Sequence, residues 1–203
     1  MKNRVIVISR EYASGGREVG RLTAEYLGIP FYDKQLLIEA ARRHSYNIDT
    51  LSAFDEKTNK SLLYNLALAS ENFYSFGAED PFYKVHDVME KTIAALAEEG
   101  PCVIIGRCAD YALEKSKKAL LLSVFIYASS MEDKIRRAGQ ADGIPAARAK
   151  SYIAKVDKQR EEYYRSVTSR QWGDRSNYDV MIDSSVFGYS GCARIIKDIY
   201  QGF

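Results

Sequence analysis

Residues 9–18 read SREYASGGRE and follow directly on the apolar run VIVI at residues 5–8. Two adjacent glycines let a chain turn so that several backbone N–H groups face one anion, and a helix that starts there adds the positive end of its dipole. The stretch therefore predicts a loop that binds phosphate groups through its backbone. The residues of this loop that would hold the phosphates are Ala13, Ser14, Gly15, Gly16, Arg17 and Glu18.

The sequence of this loop departs from the usual phosphate-binding pattern, Gly-x-x-x-x-Gly-Lys followed by Ser or Thr. With Gly16 as the second glycine, Glu11 stands where the first belongs, Arg17 replaces the lysine, and Glu18 replaces the hydroxyl that reaches magnesium. An arginine supplies charge and a forked pair of donors, but it is longer and bulkier than a lysine. The motif alone leaves two interpretations open, a phosphate-binding loop and a plain turn between a strand and a helix.

The elements that would position this loop follow from the rest of the chain. Short apolar runs predict buried strands of a parallel sheet at residues 5–8, 29–32, 102–105, 122–127 and 179–182. The spacing of apolar residues after the first run predicts a helix that ends at Gly28, and residues 84–99 repeat the helical pattern. Ser130 is placed to cap a further helix. Strands that alternate with helices indicate an α/β fold with a mainly parallel sheet.

Length and charge limit the classes of protein that fit. The chain has 203 residues and a formal net charge of +2. This length suits one domain with a substantial core, and the small charge gives no indication of nucleic acid or a membrane surface as a partner. The three cysteines include no Cys-x-x-Cys pair and cannot all form disulfides within one chain. Because this favours a reducing compartment, and the first apolar stretch is too short for a signal peptide, we expect a cytoplasmic protein.

Two segments fit the alternation less well. Residues 45–83 are rich in aromatic and small side chains without a strand signal, and they predict one helix and an irregular segment. Residues 131–175 are highly charged, with arginines and lysines interleaved with acids. No linker, repeat or low-complexity tract divides the chain.

Six motifs in order carry a resemblance to a known family: ISREYASGGREVG, LGIPFYDKQLL, VIIGRCADYAL, FIYASSMEDKIRR, KVDKQREEYY and YDVMIDSS. Their order and spacing resemble the cytidylate kinase-like family of P-loop nucleoside monophosphate kinases, from about residue 4 to residue 200. The resemblance implies a P-loop kinase fold, with a five-stranded, mainly parallel sheet flanked by helices, as a single domain over residues 1–203. Its core would span about 1–44, 84–130 and 176–203, with a monophosphate-binding insertion at about 45–83 and a helical lid at about 131–175.

The chemistry that the resemblance implies is transfer of the γ-phosphoryl group of ATP, with Mg²⁺, to a small nucleotide acceptor. Such transfer needs mainly positioning and neutralisation of charge on the migrating group. Arg17 would supply charge at the loop, and Arg136 and Arg137 match the arginine-rich start of the family's lid, where they would clamp the transition state. Surface salt bridges are the competing role of those two arginines. Glu18 would be a magnesium ligand if the metal bridges it to the phosphates.

The acceptor side is matched by three residues after the second and third strands. Asp33 corresponds to the family's acidic residue near the base and sugar of the monophosphate, although it could equally cap the helix that begins near Lys34. Arg107 resembles the arginine of a Gly-Arg-Asp stretch that binds the acceptor phosphate. The residue that follows here is Cys108, and the acid stands instead at Asp110.

Asp157 and Arg160 resemble the Asp-x-x-Arg pair through which cytidylate kinases read the edge of cytosine and hold phosphate. A carboxylate accepts a hydrogen bond from an exocyclic amine such as N4 of cytosine, which gives the pair a physical reason. A solvated ion pair between residues i and i+3 of a helix is the competing interpretation. The resemblance thus makes CMP or dCMP the first acceptor to test.

Two alternatives to such a nucleotide kinase remain at the level of the sequence. The carboxylate of Glu18 beside the expected phosphates suggests a nucleotide- or phosphate-binding protein with little kinase activity. The segment 45–83, which does not match cytidylate kinase, suggests a kinase of the same fold with a different small acceptor.

Overall fold

Five strands alternate with helices in the computed structural model, which describes residues 2–43 and 81–202. The strands are β1 (Asn3–Arg10), β2 (Phe31–Tyr32), β3 (Cys102–Ile105), β4 (Ala119–Tyr127) and β5 (Val180–Asp183). The helices are α1 (Gly16–Leu27), α2 (Lys34–Arg43), α3 (Pro81–Glu99), α4 (Ala109–Ser116), α5 (Met131–Asp142), α6 (Ala146–Thr168) and α7 (Ser184–Gly202). A short 3₁₀ turn, Arg175–Asn177, precedes β5.

The strands form one parallel sheet in the order β2-β3-β1-β4-β5. This confirms the predicted α/β class and the parallel pairing. β1 lies at the centre of the sheet, between β3 and β4. The loop that follows β1 and the turn that follows β3 therefore meet at the carboxyl edge of the sheet, where open α/β folds bind their ligands.

Alternate side chains of the central strands enter two apolar layers. Val5 and Val7 of β1 pack with Ile93 and Leu96 of α3 and with residues of α4 on one face. Ile6 and Ile8 face the other layer, where they meet Val19 of α1 and residues of α7. All four β1 side chains are fully buried. A strand covered on both faces reads as a continuous apolar run, which explains VIVI in the sequence.

Two predicted helix ends are present where the sequence placed them. Gly28 adopts a left-handed conformation, φ 65°, and its N–H bonds to carbonyls of the last turn of α1. The Ser130 side chain accepts a hydrogen bond from Asp133 N at 3.2 Å and caps α5. β2 is shorter than predicted because the Ile29 N–H bonds to Ala24 O at the end of α1 and Pro30 has no N–H.

Most of the predicted segment 45–83 lies outside the described residues, as does the helix predicted within it. No helix in the described ranges has the length and apolar character needed to cross a membrane. The three cysteines, Cys102, Cys108 and Cys192, are buried and none is in a disulfide. Burial raises the pKa of Cys102 to about 12 and that of Cys192 to about 11, so these thiols pack as small apolar groups.

Candidate functional site

The loop between β1 and α1 turns through two left-handed residues, Ala13 at φ 58° and Gly15 at φ 80°. Alternation of such residues with right-handed ones turns successive N–H groups toward one side, which makes a concave anion-binding site. The first N–H groups of α1 have no partner within the helix and face the same region. Ser184 Oγ of α7 fixes the loop by donating to Ser14 O at 2.7 Å. The loop thus combines two left-handed residues with the start of a helix, which are the features from which phosphate binding was predicted.

Gly15 also makes room for an aromatic ring. A Cβ atom at this position would stand 2.3 Å from the ring of Tyr189, so no larger residue fits. Arg137 stacks on the other part of this ring, with its guanidinium carbon 4.8 Å from the ring centre, and donates to the Tyr189 hydroxyl at 3.2 Å. The structure therefore brings Arg137 of α5 next to the loop through Tyr189.

Arg17 points away from the loop and toward the start of α2. Its Nε and Nη2 donate to the same oxygen of Asp33, at 2.9 and 2.6 Å. The other Asp33 oxygen accepts from Gln35 N at 3.1 Å, which is the contact of a helix cap. Asp33 therefore serves as the cap that the sequence allowed and as the partner of Arg17.

Glu18 lies in the first turn of α1 and pairs with Arg21. The Arg21 Nη2 and Nε atoms donate to the two Glu18 oxygens at 2.7 and 3.2 Å. These hydrogen bonds lower the pKa of Glu18, so its carboxylate is charged at neutral pH. Among the described residues no cluster of three or more His, Cys, Asp or Glu side chains forms a metal site.

A cavity of about 110 Å³ opens at the carboxyl ends of β1 and β3, beside the loop. Three arginines from distant parts of the chain line it, Arg10 from β1, Arg107 after β3 and Arg160 from α6. Lys34 and the aromatic side chains Tyr163, Tyr164 and Trp172 complete much of its wall. No carboxylate is among the described residues that line it. The cavity therefore suits a small anion that carries more than one negative charge.

The turn after β3 is strained in a way that shapes this cavity. Gly106, Arg107 and Cys108 all have positive φ values, of 66°, 61° and 53°. Left-handed conformations cost free energy for residues other than glycine and cluster at functional sites. A Cβ atom on Gly106 would stand 2.1 Å from Arg10 Nη1. The absence of a side chain at Gly106 thus lets the Arg10 guanidinium enter the cavity wall.

Cations dominate the electrostatics of the cavity, although the charge of Asp33 raises the pKa of Arg10 and that of Asp157 raises the pKa of Arg160. Burial, and then the charges of Arg160 and Arg107, lower the pKa of Arg10 well below its ordinary value. Arg160 Nη1 donates to Arg10 O at 2.7 Å, whereas its buried Nε has no hydrogen-bond partner among the described residues. Within residues 2–43 and 81–202 none of the three arginines forms an ion pair with a carboxylate. An anion in the cavity would relieve this repulsion.

Asp110 stands behind the cavity, in the first turn of α4, and is not part of its lining. Its Oδ2 accepts a hydrogen bond of 2.8 Å from the hydroxyl of Tyr164, which does line the cavity. Burial raises the pKa of Asp110. Asp110 therefore positions Tyr164 and has no direct contact with the cavity.

Asp157 and Arg160 lie three residues apart on α6, but their side chains contact different parts of the site. Arg160 lines the cavity, but Asp157 turns to the loop, where its Oδ1 accepts from Tyr12 N at 2.5 Å. Asp157 Oδ2 accepts from the ammonium of Lys134 at 3.3 Å. The two residues do not form the solvated ion pair that helical spacing allowed.

Arg136 occupies the exposed face of α5. Its Nη2 contacts Asp133 Oδ1 at 2.5 Å, and 64% of its side chain is exposed. This is the surface salt bridge that competed with a role at the phosphates. Of the two arginines at the start of the lid segment, Arg137 is the one that the structure brings to the loop.

Two cations of this region, Arg10 and Lys134, were not predicted from the sequence. Arg10 stands inside the quoted stretch SREYASGGRE, but a charged residue at the end of a strand suggests exposure. Lys134 is hidden in the charged segment 131–175. Its spacing of four from Ala138 places both on one face of α5, and both are buried. That apolar spacing is the signal from which an inward-facing lysine could have been inferred.

Solved structures share the fold of this molecule. An uncharacterised protein from Eubacterium ventriosum ATCC 27560 aligns with a TM-score of 0.72 at 24% identity, over 98% of this chain and 99% of that one. A shikimate kinase from Bacteroides thetaiotaomicron aligns with a TM-score of 0.53 at 11% identity, over 99% of both chains. A shikimate kinase from Acinetobacter baumannii, in complex with shikimate, gives 0.51 at 13% identity, over 100% and 94%.

The family follows from the sequence itself. The model of the cytidylate kinase-like family matches residues 5–186, and the chain belongs to this family. No curated protein matches the chain. The family assignment made from the six ordered motifs is therefore confirmed.

Proposed function

We propose that this protein transfers the γ-phosphoryl group of ATP, with Mg²⁺, to a small phosphorylated acceptor, and that CMP and dCMP are the first acceptors to test. The cavity lined by Arg10, Arg107 and Arg160 carries this proposal, because it concentrates positive charge beside a phosphate-binding loop. Arginine binds phosphate with paired N–H donors and is the cation best suited to it. In this proposal the acceptor phosphate enters the cavity and the donor phosphates bind at the loop.

The lack of a carboxylate in the described lining favours a phosphate acceptor over an alcohol. An alcohol must lose a proton when it attacks, and kinases of alcohols provide a base for this step. A phosphate oxygen is already ionised at neutral pH and attacks without a base. The required work is then alignment of the two phosphates and compensation of their repulsion, which is what the half-buried arginines of the cavity would supply.

The donor side would use the backbone more than side chains. The N–H groups of residues 13–17 would hold the donor phosphates, and Arg137, which packs on Tyr189 beside the loop, would compensate charge on the migrating group. Arg17 would contribute there only after it leaves Asp33. Mg²⁺ is bound in kinases by phosphate oxygens and one or two carboxylates. Glu18, a carboxylate in the first turn of α1, fits as its protein ligand if it leaves Arg21. When bound, the metal supplies neutralisation of the phosphate charge.

The acceptor residues of the proposal are Arg10, Arg107 and Arg160, with Asp33 and Asp110 in supporting positions. Asp157 would reach a cytosine base only if it gave up its contacts to Tyr12 and Lys134. Recognition of cytosine through Asp157 is therefore the part of the proposal that depends most on movement of α6. Three buried free thiols are in keeping with action in the reducing cytoplasm.

The experiment that tests this function is chromatographic analysis of nucleotides after incubation of the protein with MgATP and a panel of ribo- and deoxyribonucleoside monophosphates. Diphosphate formed from CMP or dCMP supports the proposal in its narrow form. The Arg10→Met variant, purified in the same way, must lose the product, which excludes a contaminating kinase. Shikimate, which the Acinetobacter baumannii enzyme binds, belongs in the panel as an alcohol acceptor.

Two other outcomes correspond to the remaining candidates. Product from another small acceptor, with none from any nucleoside monophosphate, would indicate a kinase of the same fold with different specificity. MgATP binding without any product would indicate a nucleotide-binding protein, which the carboxylates of Glu11 and Glu18 at the loop favour. Absence of both binding and product would contradict the proposal.

A further inference from the structure

The loop lacks the lysine that phosphate-binding loops carry, and its own arginine does not take that place. Arg17 is held on Asp33 by two hydrogen bonds of 2.6 and 2.9 Å, and 64% of its side chain is exposed. A lysine in this position normally extends along the loop and contacts the donor phosphates. A cation for those phosphates must therefore come from another element.

Lys134 of α5 reaches the loop from the opposite side. Only 7% of its side chain is exposed, and its ammonium lies 3.1 Å from Glu11 Oε2. Glu11 is the residue at the first glycine position of the loop, and the same oxygen accepts from Ala128 N at 3.1 Å. A buried ammonium is costly unless it is paired. The structure thus holds a lysine at the base of the loop by two contacts to carboxylates.

The second of these carboxylates links the Lys134 ammonium to the backbone at the start of the loop. Asp157 accepts from the Tyr12 N–H of the loop at 2.5 Å through one oxygen and from Lys134 at 3.3 Å through the other. One anionic group therefore already contacts both a backbone N–H of the loop and the Lys134 ammonium. A phosphate group in the place of Asp157 would make the same pair of contacts.

The Lys134 ammonium also has a third N–H donor, which the two carboxylates do not use. A lysine ammonium has three N–H donors, and Glu11 and Asp157 account for two. Among the described residues, no third acceptor lies at hydrogen-bond distance from it. Two carboxylates against one ammonium leave the base of the loop negative, which opposes phosphate binding unless a donor points to the phosphate.

We propose that Lys134 binds the donor phosphates in place of the missing loop lysine, an inference that rests on the proposed kinase function. Its ammonium keeps the contact with Glu11 and directs a further N–H to a phosphate oxygen at the loop. The function of the loop lysine has thus moved from α1 to α5. Glu11 holds the relocated cation, which gives a reason for a glutamate where a glycine is usual.

Calorimetric titration with MgADP and with inorganic tripolyphosphate, in the absence of an acceptor, tests this inference. Lys134→Met is expected to weaken the binding of both probes at least tenfold, because each loses its contact with the ammonium. Lys134→Arg is expected to retain part of the affinity. Lys158→Met, which removes an exposed lysine of α6, is the matched control and is expected to change neither affinity more than twofold.

Lys134→Met leaves two carboxylates without their cation and can fail to fold, so a second variant separates stability from binding. Glu11→Gln/Lys134→Met removes one carboxylate together with the ammonium and is expected to regain the melting temperature but not the affinity. Return of the affinity with the stability would show that Lys134 has only a structural role, and the inference would be overturned.

The outcomes also separate this inference from the proposed function. Wild-type protein that binds MgADP, with Lys134→Met binding it equally well, contradicts the role of Lys134 and leaves the kinase proposal standing. Wild-type protein that binds neither probe contradicts both.

Discussion

Arg10 lines the cavity and the next residue, Glu11, begins the loop between β1 and α1. The cavity and the loop nevertheless differ in how their charged side chains are paired. The described lining of the cavity holds three arginines and no carboxylate. Around the loop the cations are paired, Lys134 with Glu11 and Asp157, and Arg21 with Glu18. The cavity therefore has an excess of positive charge, whereas the cations around the loop are paired with carboxylates.

This difference indicates two ways of binding phosphate in one site. In the cavity an anion gains from three half-buried guanidinium groups, where charge interactions are stronger than in bulk water. At the loop an anion depends on oriented backbone N–H groups and on the metal that accompanies a nucleotide. We expect acceptor binding to respond mainly to changes of charge, and donor binding to respond to changes of backbone shape.

Replacement of Arg10, one of the three arginines of the cavity, should have the largest effect. Arg10→Met is expected to lower kcat/KM for the acceptor about 100-fold, because a charge-assisted bidentate contact contributes roughly 2–3 kcal/mol. The KM for ATP should change little. The measurement is steady-state kinetics with each substrate varied in turn.

Arg4→Met is the control for this prediction, since Arg4 lies at the other end of β1 and donates to Tyr200 O. Equal losses in the two variants would mean that Arg10 acts through the stability of the strand. A rise in the KM for ATP would place Arg10 on the donor side and remove the distinction between cavity and loop.

A side chain at Gly15 should damage the loop and leave the cavity intact. Gly15 and Gly28 both have positive φ, but a Cβ on Gly15 meets Tyr189 at 2.3 Å, while a Cβ on Gly28 meets nothing within 4 Å. Gly28→Ala is expected to cost about 1 kcal/mol of unfolding free energy from backbone strain alone. Gly15→Ala should cost about 2 kcal/mol more from overpacking and should also weaken MgADP binding. Denaturant unfolding and calorimetry provide the two measurements.

The role of Glu18 distinguishes a metal ligand from a damaged loop. If Glu18 is a ligand of Mg²⁺, Glu18→Thr should raise severalfold the Mg²⁺ concentration that gives half-maximal activity. Glu25→Thr removes the other partner of Arg21, one turn further from the loop, and should leave the Mg²⁺ requirement unchanged. Higher turnover of Glu18→Thr at every Mg²⁺ concentration would instead show that this carboxylate repels the phosphates.

The smallest expected effect is on the pH dependence of stability and comes from Asp110, the acid behind the cavity. Because burial raises the pKa of Asp110 above its ordinary value of 3.8, the folded state binds this proton more tightly than the unfolded state. Stability from this group is complete below pH 3.8 and is lost as the pH rises through the raised pKa. Asp110→Asn should remove this loss. The unfolding free energy of the variant minus that of the wild type should therefore grow with pH, by at most about 1.4 kcal/mol per pH unit. Parallel pH profiles would contradict the shift.

Much of the fold was predictable because its determinants are local. The run VIVI indicated a strand covered on both faces, and Gly28 and Ser130 marked helix ends through chemistry that acts within one turn. The start of β2 was misplaced because the Ile29 N–H bonds back to α1, a contact that the apolar pattern of residues 29–32 does not reveal.

The site was less predictable because it depends on contacts between distant residues. The sequence indicated the loop, but not that Arg17 would turn to Asp33 or that Asp157 would bind Tyr12. The Arg10 guanidinium occupies space that a side chain at Gly106 would fill, a contact between residues 96 positions apart. Lys134 and Glu11 are 123 residues apart, and no periodic pattern in the sequence relates them.

The most direct test of two separate phosphate sites is one calorimetric experiment on the wild-type protein, in which CMP is titrated with and without saturating MgADP. The account predicts that one CMP binds in both cases and that MgADP does not weaken its binding, because the acceptor occupies the arginine cavity and the donor occupies the loop. Displacement of CMP by MgADP would mean that both ligands use one site, and would contradict the account.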